Sequence, residues 1–355
     1  MKRYEGPMQS VWWTAILCAL TVGCEAKQEH GFIAVGGETG PVGGSAGLTA
    51  WGSCGAELPA ELDSDAVVQV VPPPGARNVS VHTPIIAFLE EGYTLDDIDH
   101  FDVSSNGWGI DGDLVTIERT ASTAIGFAPL DPYDVAGEVL ITMEIMGGEV
   151  EWQFHTGPYE DTVAGNPNLS FENAATAQGI ECEYTYFTDN FIGFGDVAFT
   201  AEEAGATGAT DGESRLLMTT GEVLGNASVR ATTSFVTSQP LPVVTAPNLS
   251  LDYRFVSEEF DENIGPIHDD SFLIMAHGQN GVVFEEITSV NRIGAADSTD
   301  IDFPGLVGAE ASEWRTHTLT GFNTVGSDAT ITIFLTDVGS TVRTSAVSVD
   351  NLRVE

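Results

Sequence analysis

The sequence predicts an all-β protein with an N-terminal tether, a first β-sandwich and a larger two-sheet jelly roll. Short runs of alternating apolar and polar residues, rich in β-branched and aromatic side chains, recur from Val67 onwards. Turns rich in Gly, Pro, Asn and Asp separate these runs, and the chain contains 39 Gly and 16 Pro. No stretch of the sequence of comparable length shows helical periodicity. This combination is typical of antiparallel β-sandwiches.

Residues 1–23 have the pattern of an export signal. Lys2 and Arg3 precede an apolar run over residues 11–22 that is short for a membrane span and lies just before Cys24. A Cys at this position resembles the bacterial lipoprotein signal, which implies lipidation of Cys24 and anchoring at the outer membrane or surface of a Gram-negative bacterium. Leu20 lies one residue further from the Cys than in that family. Ordinary cleavage and secretion is therefore the alternative.

The charge balance limits the classes of partner. The chain has 53 Asp and Glu against 12 Lys and Arg, a formal net charge of -41. Nucleic-acid binding requires clustered basic residues, so this composition argues against a nucleic-acid partner. The acid excess is compatible with calcium, with other cations or with a saline habitat, and also with a simply solvated acidic surface.

The cysteines and the tether offer no catalytic site. An oxidising compartment permits a disulfide between Cys54 and Cys182, although the sequence cannot place the two within bonding distance. Residues 24–62 are predicted to be a flexible tether because they contain Gly pairs and no sustained period. Residues 43–47 match the G-x-S-x-G pattern but lack the flanking strand and helix that a nucleophile elbow needs.

Residues 63–160 form the first predicted sandwich. They resemble the bacterial Ig-like domain first described in surface-layer proteins, through the phrases at residues 72–79, 82–88, 123–129 and 151–157. The resemblance implies a spacer or adhesive module without catalytic residues. Trp152 and Phe154 are expected in its core.

Residues 166–355 form the second predicted unit, the jelly roll. Its strands are predicted at residues 216–220, 249–255, 271–275, 314–319, 329–335 and 345–349. It resembles jelly-roll domains of bacterial surface proteins, related in architecture to carbohydrate-binding modules, through the phrases at residues 168–172, 210–214, 255–260, 268–272, 337–339 and 345–353. This resemblance implies the fold more strongly than the ligand.

Two acidic residues near the ends of the jelly roll are candidate calcium ligands. The first and last strands of a jelly roll lie close together, so Glu172 and Asp350 can meet, and facing carboxylates repel unless a cation lies between them. Calcium accepts carboxylate and carbonyl oxygens in irregular loops, and the turn containing Asp211 could contribute. The alternative is that Asp350 caps a turn and Glu172 is solvated.

A second acidic group is a further candidate metal site. It comprises Glu258, Glu259, Asp261, Glu262, Asp269 and Asp270, with Asp337 as a further member. A second calcium site and a solvated acidic loop are the two interpretations. Paired carboxylates could also serve a glycosidase, but the resemblance indicates a non-catalytic module. His268 has no partner nucleophile in any recognisable phrase.

Clustered aromatic residues are the candidate ligand surface. Tyr184, Tyr186 and Phe187, followed by Phe191 and Phe194, crowd one segment, and aromatic rings stack on the apolar faces of sugars. Burial in the core is their commoner role.

The sequence therefore predicts a lipid-anchored, non-catalytic cell-envelope protein for adhesion or recognition. Its ligand would be a polysaccharide or a surface protein, and calcium would stabilise the outer domain. An envelope glycoside hydrolase and a purely architectural stalk are the alternatives.

Overall fold

The all-β architecture predicted from the sequence is confirmed. This computed structural model describes residues 64–77, 79–119, 122–157, 171, 178–179, 184–187, 191–200, 210–212, 214–220, 233–241, 245–260, 269–303, 305–338 and 343–355. Within these ranges the chain forms strands joined by turns, and its helices are a single α turn and three 3-10 turns: Val290–Ile293, Leu95–Asp97, Ala295–Asp297 and Phe322–Thr324.

The first sandwich is built from eight strands in two four-stranded antiparallel sheets. The sheet orders are β1-β2-β6-β5 and β4-β3-β7-β8. The strands are β1 (Val67–Val71), β2 (Ile85–Leu89), β3 (Ile98–Ser105), β4 (Trp108–Gly109), β5 (Gly112–Glu118), β6 (Thr123–Pro129), β7 (Glu138–Ile145) and β8 (Gly148–His155).

The outer sheet of this sandwich, β4-β3-β7-β8, follows the two-residue period of a half-buried sheet. Along β8, Val150, Trp152 and Phe154 are buried, while the residues between them are exposed. Trp152 and Phe154 therefore lie in the core, as predicted. The alternation places one face of the sheet on the core and the other in solvent.

The second sandwich contains two seven-stranded sheets. Their orders are β17-β16-β21-β14-β11-β10-β9 and β12-β13-β22-β15-β19-β18, with β20 pairing to β15 in the latter. The strands are β9 (Gln178–Gly179), β10 (Tyr184–Phe187), β11 (Phe191–Phe194), β12 (Asp196–Thr200), β13 (Arg215–Thr219), β14 (Thr233–Ser238), β15 (Asn248–Ser257), β16 (Ser271–Gly278), β17 (Gly281–Ser289), β18 (Ser298–Asp300), β19 (Glu310–Ser312), β20 (Arg315–Thr320), β21 (Thr330–Thr336) and β22 (Ser345–Val354).

The two sandwiches share a core. Strands β2 and β6 are buried along their whole lengths, which requires cover on both faces of their sheet. Leu273, Met275 and Phe334 of the seven-stranded sheet belong to the same buried cluster as the apolar residues of β2. A Cβ at Gly126 would lie 2.4 Å from Met275 Cε, so a glycine permits this close approach. The described strands thus stack in layers of four, four, seven and seven.

Buried polar contacts fix the alignment of the two middle layers. Gln69 Nε2 donates hydrogen bonds to Thr233 Oγ1 (2.8 Å) and Thr336 Oγ1 (2.7 Å). The hydroxyls of Thr83 and Thr237 lie 3.1 Å apart. Because each buried hydroxyl or amide needs a partner, these pairs favour one register of sheet on sheet.

A buried ion pair joins the same layers. Arg119, which follows β5, donates through Nε to Glu286 Oε1 at 2.9 Å and through Nη2 to the carbonyl of Asp269 at 2.6 Å. Its guanidinium also lies 3.5 Å from Asp269 Oδ2 and 5.0 Å from the centre of the Phe88 ring. The side chains of Arg119 and Glu286 are nearly inaccessible to solvent. Glu286 Oε2 also lies 3.1 Å from Nε of Arg292, so Arg119 is the buried one of two arginines that compensate the charge of Glu286.

We expect Arg119→Met to destabilise the protein by about 3 kcal/mol, because Glu286 and Asp269 would keep buried charge without this partner. Urea unfolding followed by tryptophan fluorescence measures the change. Arg315→Met is the control, since Arg315 makes an exposed pair with Asp297 at 3.4 Å and should contribute at most about 1 kcal/mol. Equal effects of the two substitutions would contradict the assigned role of Arg119.

His277 makes the contact between the sandwiches sensitive to acid. It is buried in β16, and its Nε2 lies 3.1 Å from the carbonyl oxygen of His82. Burial lowers the pKa of His277 to about 4. The unfolded chain therefore binds a proton between about pH 6.5 and pH 4 that the folded chain does not, and folding stability falls as the pH drops through this range.

We expect His277→Gln to reduce the loss of stability between pH 6.5 and pH 4 by about 3 kcal/mol relative to the wild type. The measurement is urea unfolding of both proteins at a series of pH values. Parallel pH profiles for the two proteins would contradict this role of His277.

Candidate functional site

Several predicted site residues lie outside the described residues. They are the proposed lipidation site Cys24, the disulfide candidates Cys54 and Cys182, and the calcium candidate Glu172. The residues between the sandwiches, 158–170, also lie outside, so the predicted domain boundary stays a prediction. No helix in the described ranges has the length and apolar character needed to cross a bilayer.

The structure brings Asp350 onto the turn predicted to meet it. Asp350 is fully buried in β22, and its Oδ2 accepts hydrogen bonds from the backbone N–H groups of Thr210 and Asp211 and from Thr210 Oγ1. Its Oδ1 accepts the N–H of Asn351 at 2.6 Å. The carboxylate of Asp211 is exposed, so this residue contributes its backbone rather than its side chain. Hydrogen-bond donors satisfy the buried charge of Asp350.

A second carboxylate, Asp252, extends this network and was missed by the sequence analysis. Asp252 lies opposite Asp350 in the register of β15 and β22. It accepts hydrogen bonds from Thr316 Oγ1 (2.6 Å) and Asn351 Nδ2 (2.9 Å). Thr210 Oγ1 bridges the carboxylates, 3.0 Å from Asp252 and 3.1 Å from Asp350. Partial burial raises the pKa of Asp252, but these donors outweigh it and lower the pKa below its usual value.

The second predicted acidic group divides into satisfied and unsatisfied carboxylates. Glu258 accepts the N–H groups of Val307 (2.6 Å) and Thr344 (3.1 Å). Glu259, the next residue, is fully buried, and neither of its carboxylate oxygens has a hydrogen-bond donor in the described part of the chain. Burial, then the negative charge of Asp270, raises the pKa of Glu259 to about 8.

The aspartates of this group lie at the same end of the second sandwich. Asp269 and Asp270 precede β16, and Asp337 follows β21, its neighbour in the sheet. Asp270 is fully buried, and burial, followed by the charge of Asp337, raises its pKa well above the usual range. Asp270 Oδ1 accepts the N–H of Val338 at 3.2 Å, whereas Oδ2 has no donor among the residues described. Across the same ranges, no three Asp, Glu, His or Cys side chains are arranged as a metal centre.

The remaining acidic candidates have other surroundings. Asp269 accepts the N–H of Asn291 at 3.0 Å and interacts with Arg119, so its charge is compensated. Asp261, Glu262 and His268 lie outside the described residues.

A row of aromatic rings lies on the seven-stranded sheet that faces the first sandwich. Phe235 stacks on Phe194 with ring centres 5.0 Å apart, and it contacts Phe334 at 5.9 Å. In the backbone register of β10 and β11, Tyr184 pairs with Phe194 and Tyr186 with Ile192, whereas the side chains of residues 184–187 lie outside those described. Strand β10 is the next strand towards the sheet margin.

The backbone register pairs Phe187 with Phe191, which is buried in the core between the two seven-stranded sheets. The role of Tyr184, Tyr186 and Phe187 as a ligand surface stays a prediction.

Trp108 is an exposed aromatic residue that the sequence analysis did not single out. Its relative exposure is 77%, and it begins β4, directly after the tight turn at Asn106 and Gly107. Both turn residues have positive φ, 48° and 81°. The Asn-Gly pair is the sequence signal for such a hairpin and could have placed Trp108 at its tip.

Comparisons with known proteins report similarity at low identity. No family model matches the chain, and no curated protein matches it. Among solved structures, it is similar to TmCBM61 in complex with β-1,4-galactotriose, with 12% identity, 55% of this chain and 100% of that chain covered, and a TM-score of 0.28. A non-crystalline cellulose specific carbohydrate-binding module, CBM28, has 15% identity and a TM-score of 0.29. The match covers 56% of this chain and 99% of that chain.

A hydrolase is also among the similar structures. Pullulanase type I from Bacillus subtilis, complexed with maltose, has 10% identity, covers 76% of this chain and 24% of that chain, and has a TM-score of 0.18. At these identities and TM-scores, none of the similarities assigns a function to this chain.

We expect Asp350→Asn to destabilise the protein by about 3 kcal/mol in excess EDTA, because either orientation of the amide places an NH2 group against backbone N–H donors. Urea unfolding measures the change. Asp211→Asn is the matched control, because it removes an exposed carboxylate and keeps the backbone donor. A loss of stability in Asp211→Asn that appears only when calcium is present would instead support Asp211 as a metal-ligating carboxylate.

Proposed function

We propose that this chain is a non-catalytic cell-envelope protein that recognises a polysaccharide with the aromatic margin of its second sandwich. The observation that carries the proposal is the aromatic row of Phe334, Phe235 and Phe194, which continues in register to Tyr184 on β10. Aromatic rings offer flat apolar surface with a polar edge, which suits the C–H face of a sugar ring.

The described polar contacts of the first sandwich reach part of this sheet. Its hydrogen bonds reach Thr233 and Thr237 on β14 and Thr336 on β21, while Arg119 reaches the opposite margin at β17. Strand β11 lies beyond β14, and β10 and β9 lie further out. Strands β10 and β9 therefore lie past the last strand with a described polar contact to the first sandwich.

The shared core supports a binding surface of this kind. Because the two sandwiches pack through buried apolar side chains, the sheet margin beside them is held on a stiff support. A stiff surface loses less conformational entropy when it binds an extended ligand. The export signal, the proposed lipid on Cys24 and the tether would then present this surface outside the cell.

The acidic residues favour recognition over hydrolysis. A glycosidase needs two carboxyl groups that reach the scissile bond from opposite sides. Asp350, Glu259 and Asp270 are fully buried, so no solvent path brings a sugar to them in the described ranges. The burial of these three carboxylates favours a structural role. The proposal therefore includes calcium as a stabiliser of the second sandwich.

The net charge indicates the class of polysaccharide. With a formal charge of -41, the protein repels uronic-acid and sulfated chains at low ionic strength. A neutral polysaccharide avoids this repulsion. We therefore place the ligand among neutral glycans.

We expect Tyr184→Ala/Tyr186→Ala to weaken polysaccharide binding about tenfold or more, since losing two stacking rings removes at least about 1.4 kcal/mol. Affinity electrophoresis against β-1,4-galactan, xyloglucan and mixed-linkage β-glucan finds the ligand, and isothermal titration calorimetry measures the loss. Trp108→Ala, which removes an exposed ring from the other sandwich, should retain wild-type affinity.

Two outcomes would contradict this proposal. Loss of binding in Trp108→Ala alone would move the binding surface to the first sandwich. No binding of the wild type to any of these glycans would favour the architectural stalk or a protein ligand.

A further inference from the structure

We propose that Glu259 and Asp270 bind a calcium ion at the end of the second sandwich where β15, β16 and β21 meet. The proposal rests on the part of the proposed function that includes calcium as a stabiliser, and it does not depend on polysaccharide recognition. It concerns the carboxylates that the hydrogen-bond network leaves unsatisfied.

The first argument is the contrast between two adjacent glutamates. Glu258 receives two backbone N–H donors, from Val307 and Thr344, and is partly accessible to water. Glu259 is fully buried, and both of its oxygens lack a donor in the described ranges. A buried carboxylate without donors costs several kcal/mol unless a positive charge compensates it. A bound cation supplies that charge.

The second argument is that hydrogen bonds link Asp270 to the surroundings of Glu259. The N–H of Glu259 donates to Ser257 Oγ at 3.1 Å, Ser257 Oγ lies 2.9 Å from Ser345 Oγ, and Ser345 forms a hydrogen bond with the side chain of Asp270. Asp270 is itself fully buried, and its Oδ2 has no described donor. Two buried carboxylates with unsatisfied oxygens thus come together from different strands.

The third argument is the distribution of the basic residues. Arg119 is occupied by Glu286 and Asp269 in the contact between the sandwiches. Arg343 attracts Glu259, but its Nη1 donates to the backbone carbonyl of Glu258 at 2.7 Å. In the described ranges, Arg343 therefore lies near a group that also includes the acidic residues Asp270 and Asp337.

The surroundings supply the oxygen ligands that calcium prefers. Ser257 Oγ lies 2.9 Å from Ser345 Oγ and accepts the N–H of Glu259 at 3.1 Å. Calcium takes six to eight oxygens and accepts carboxylates, hydroxyls, backbone carbonyls and water together. A site with two carboxylate ligands and neutral oxygens is therefore sufficient, and it does not require three acidic side chains around one point.

The position gives such an ion a structural effect. Glu259 follows a strand of one seven-stranded sheet, and Asp270 precedes a strand of the other. Asp270 also adjoins Asp269, which interacts with Arg119 of the first sandwich. A calcium ion here would join both sheets of the second sandwich beside their contact with the first.

The experiment measures calcium binding to the full chain after metal removal with EGTA, by equilibrium dialysis with 45Ca and by thermal unfolding at pH 7.5. We expect calcium to raise the unfolding midpoint of the wild type. We expect Glu259→Gln to weaken calcium binding at least about tenfold and to lose most of the rise in midpoint. Glu258→Gln is the matched control and should retain both.

Three outcomes would overturn the proposal. Calcium binding that is unchanged in Glu259→Gln, in a protein with a native circular dichroism spectrum, excludes this glutamate as a ligand. Calcium binding lost in Asp350→Asn but retained in Glu259→Gln assigns the ion to the end of the last strand instead. If the wild type binds no calcium while Glu259→Gln raises its midpoint at pH 7.5, the buried carboxyl groups hold protons rather than a metal. Asp270→Asn repeats the test if Glu259→Gln fails to fold.

Discussion

The inner four-stranded sheet of the first sandwich, β1-β2-β6-β5, is covered on both faces, and the arrangement of the remaining layers depends on this constraint. A sheet with two apolar faces can be buried only between two others, so the outer sheet and the seven-stranded sheet must both pack against it. The buried contacts of Gln69, Arg119 and His277 fix the register between these layers. Apolar burial holds the layers together, and paired polar groups make the arrangement specific.

The sequence predicted individual strands better than their layers. The sequence located β13, β20 and β21 to within one residue at each end, because runs of β-branched and apolar residues bounded by turn residues mark a strand locally. The phrase at residues 82–88 indicated a strand, but its burial on both faces was not predicted. The identity of the covering sheet could not be predicted, since it depends on residues about two hundred positions away in the chain.

The candidate sites show the same limit at the level of single side chains. The sequence grouped Asp350 with the turn at Thr210 and left open whether Asp350 binds calcium or caps a turn, and it could not show that backbone N–H groups of this turn face the carboxylate. Glu258 and Glu259 are adjacent residues of the same type. Among the described residues, hydrogen-bond donors reach the carboxylate of Glu258 but not that of Glu259, because the backbone that follows β15 directs the two side chains to different surroundings. Residue type identifies candidate ligands, whereas the supply of hydrogen-bond donors is a property of the folded backbone.

The place of β22 in its sheet has a consequence for export. This strand, the last in chain order among those described, lies between β13 and β15 rather than at an edge. The sheet therefore has a gap at its centre until residues 345–354 are available, and neither its core nor the shared layers can close earlier. A chain still being synthesised would therefore remain open. If residues 1–23 act as the proposed export signal, this open state would suit passage through a translocation channel, and the fold would be completed afterwards.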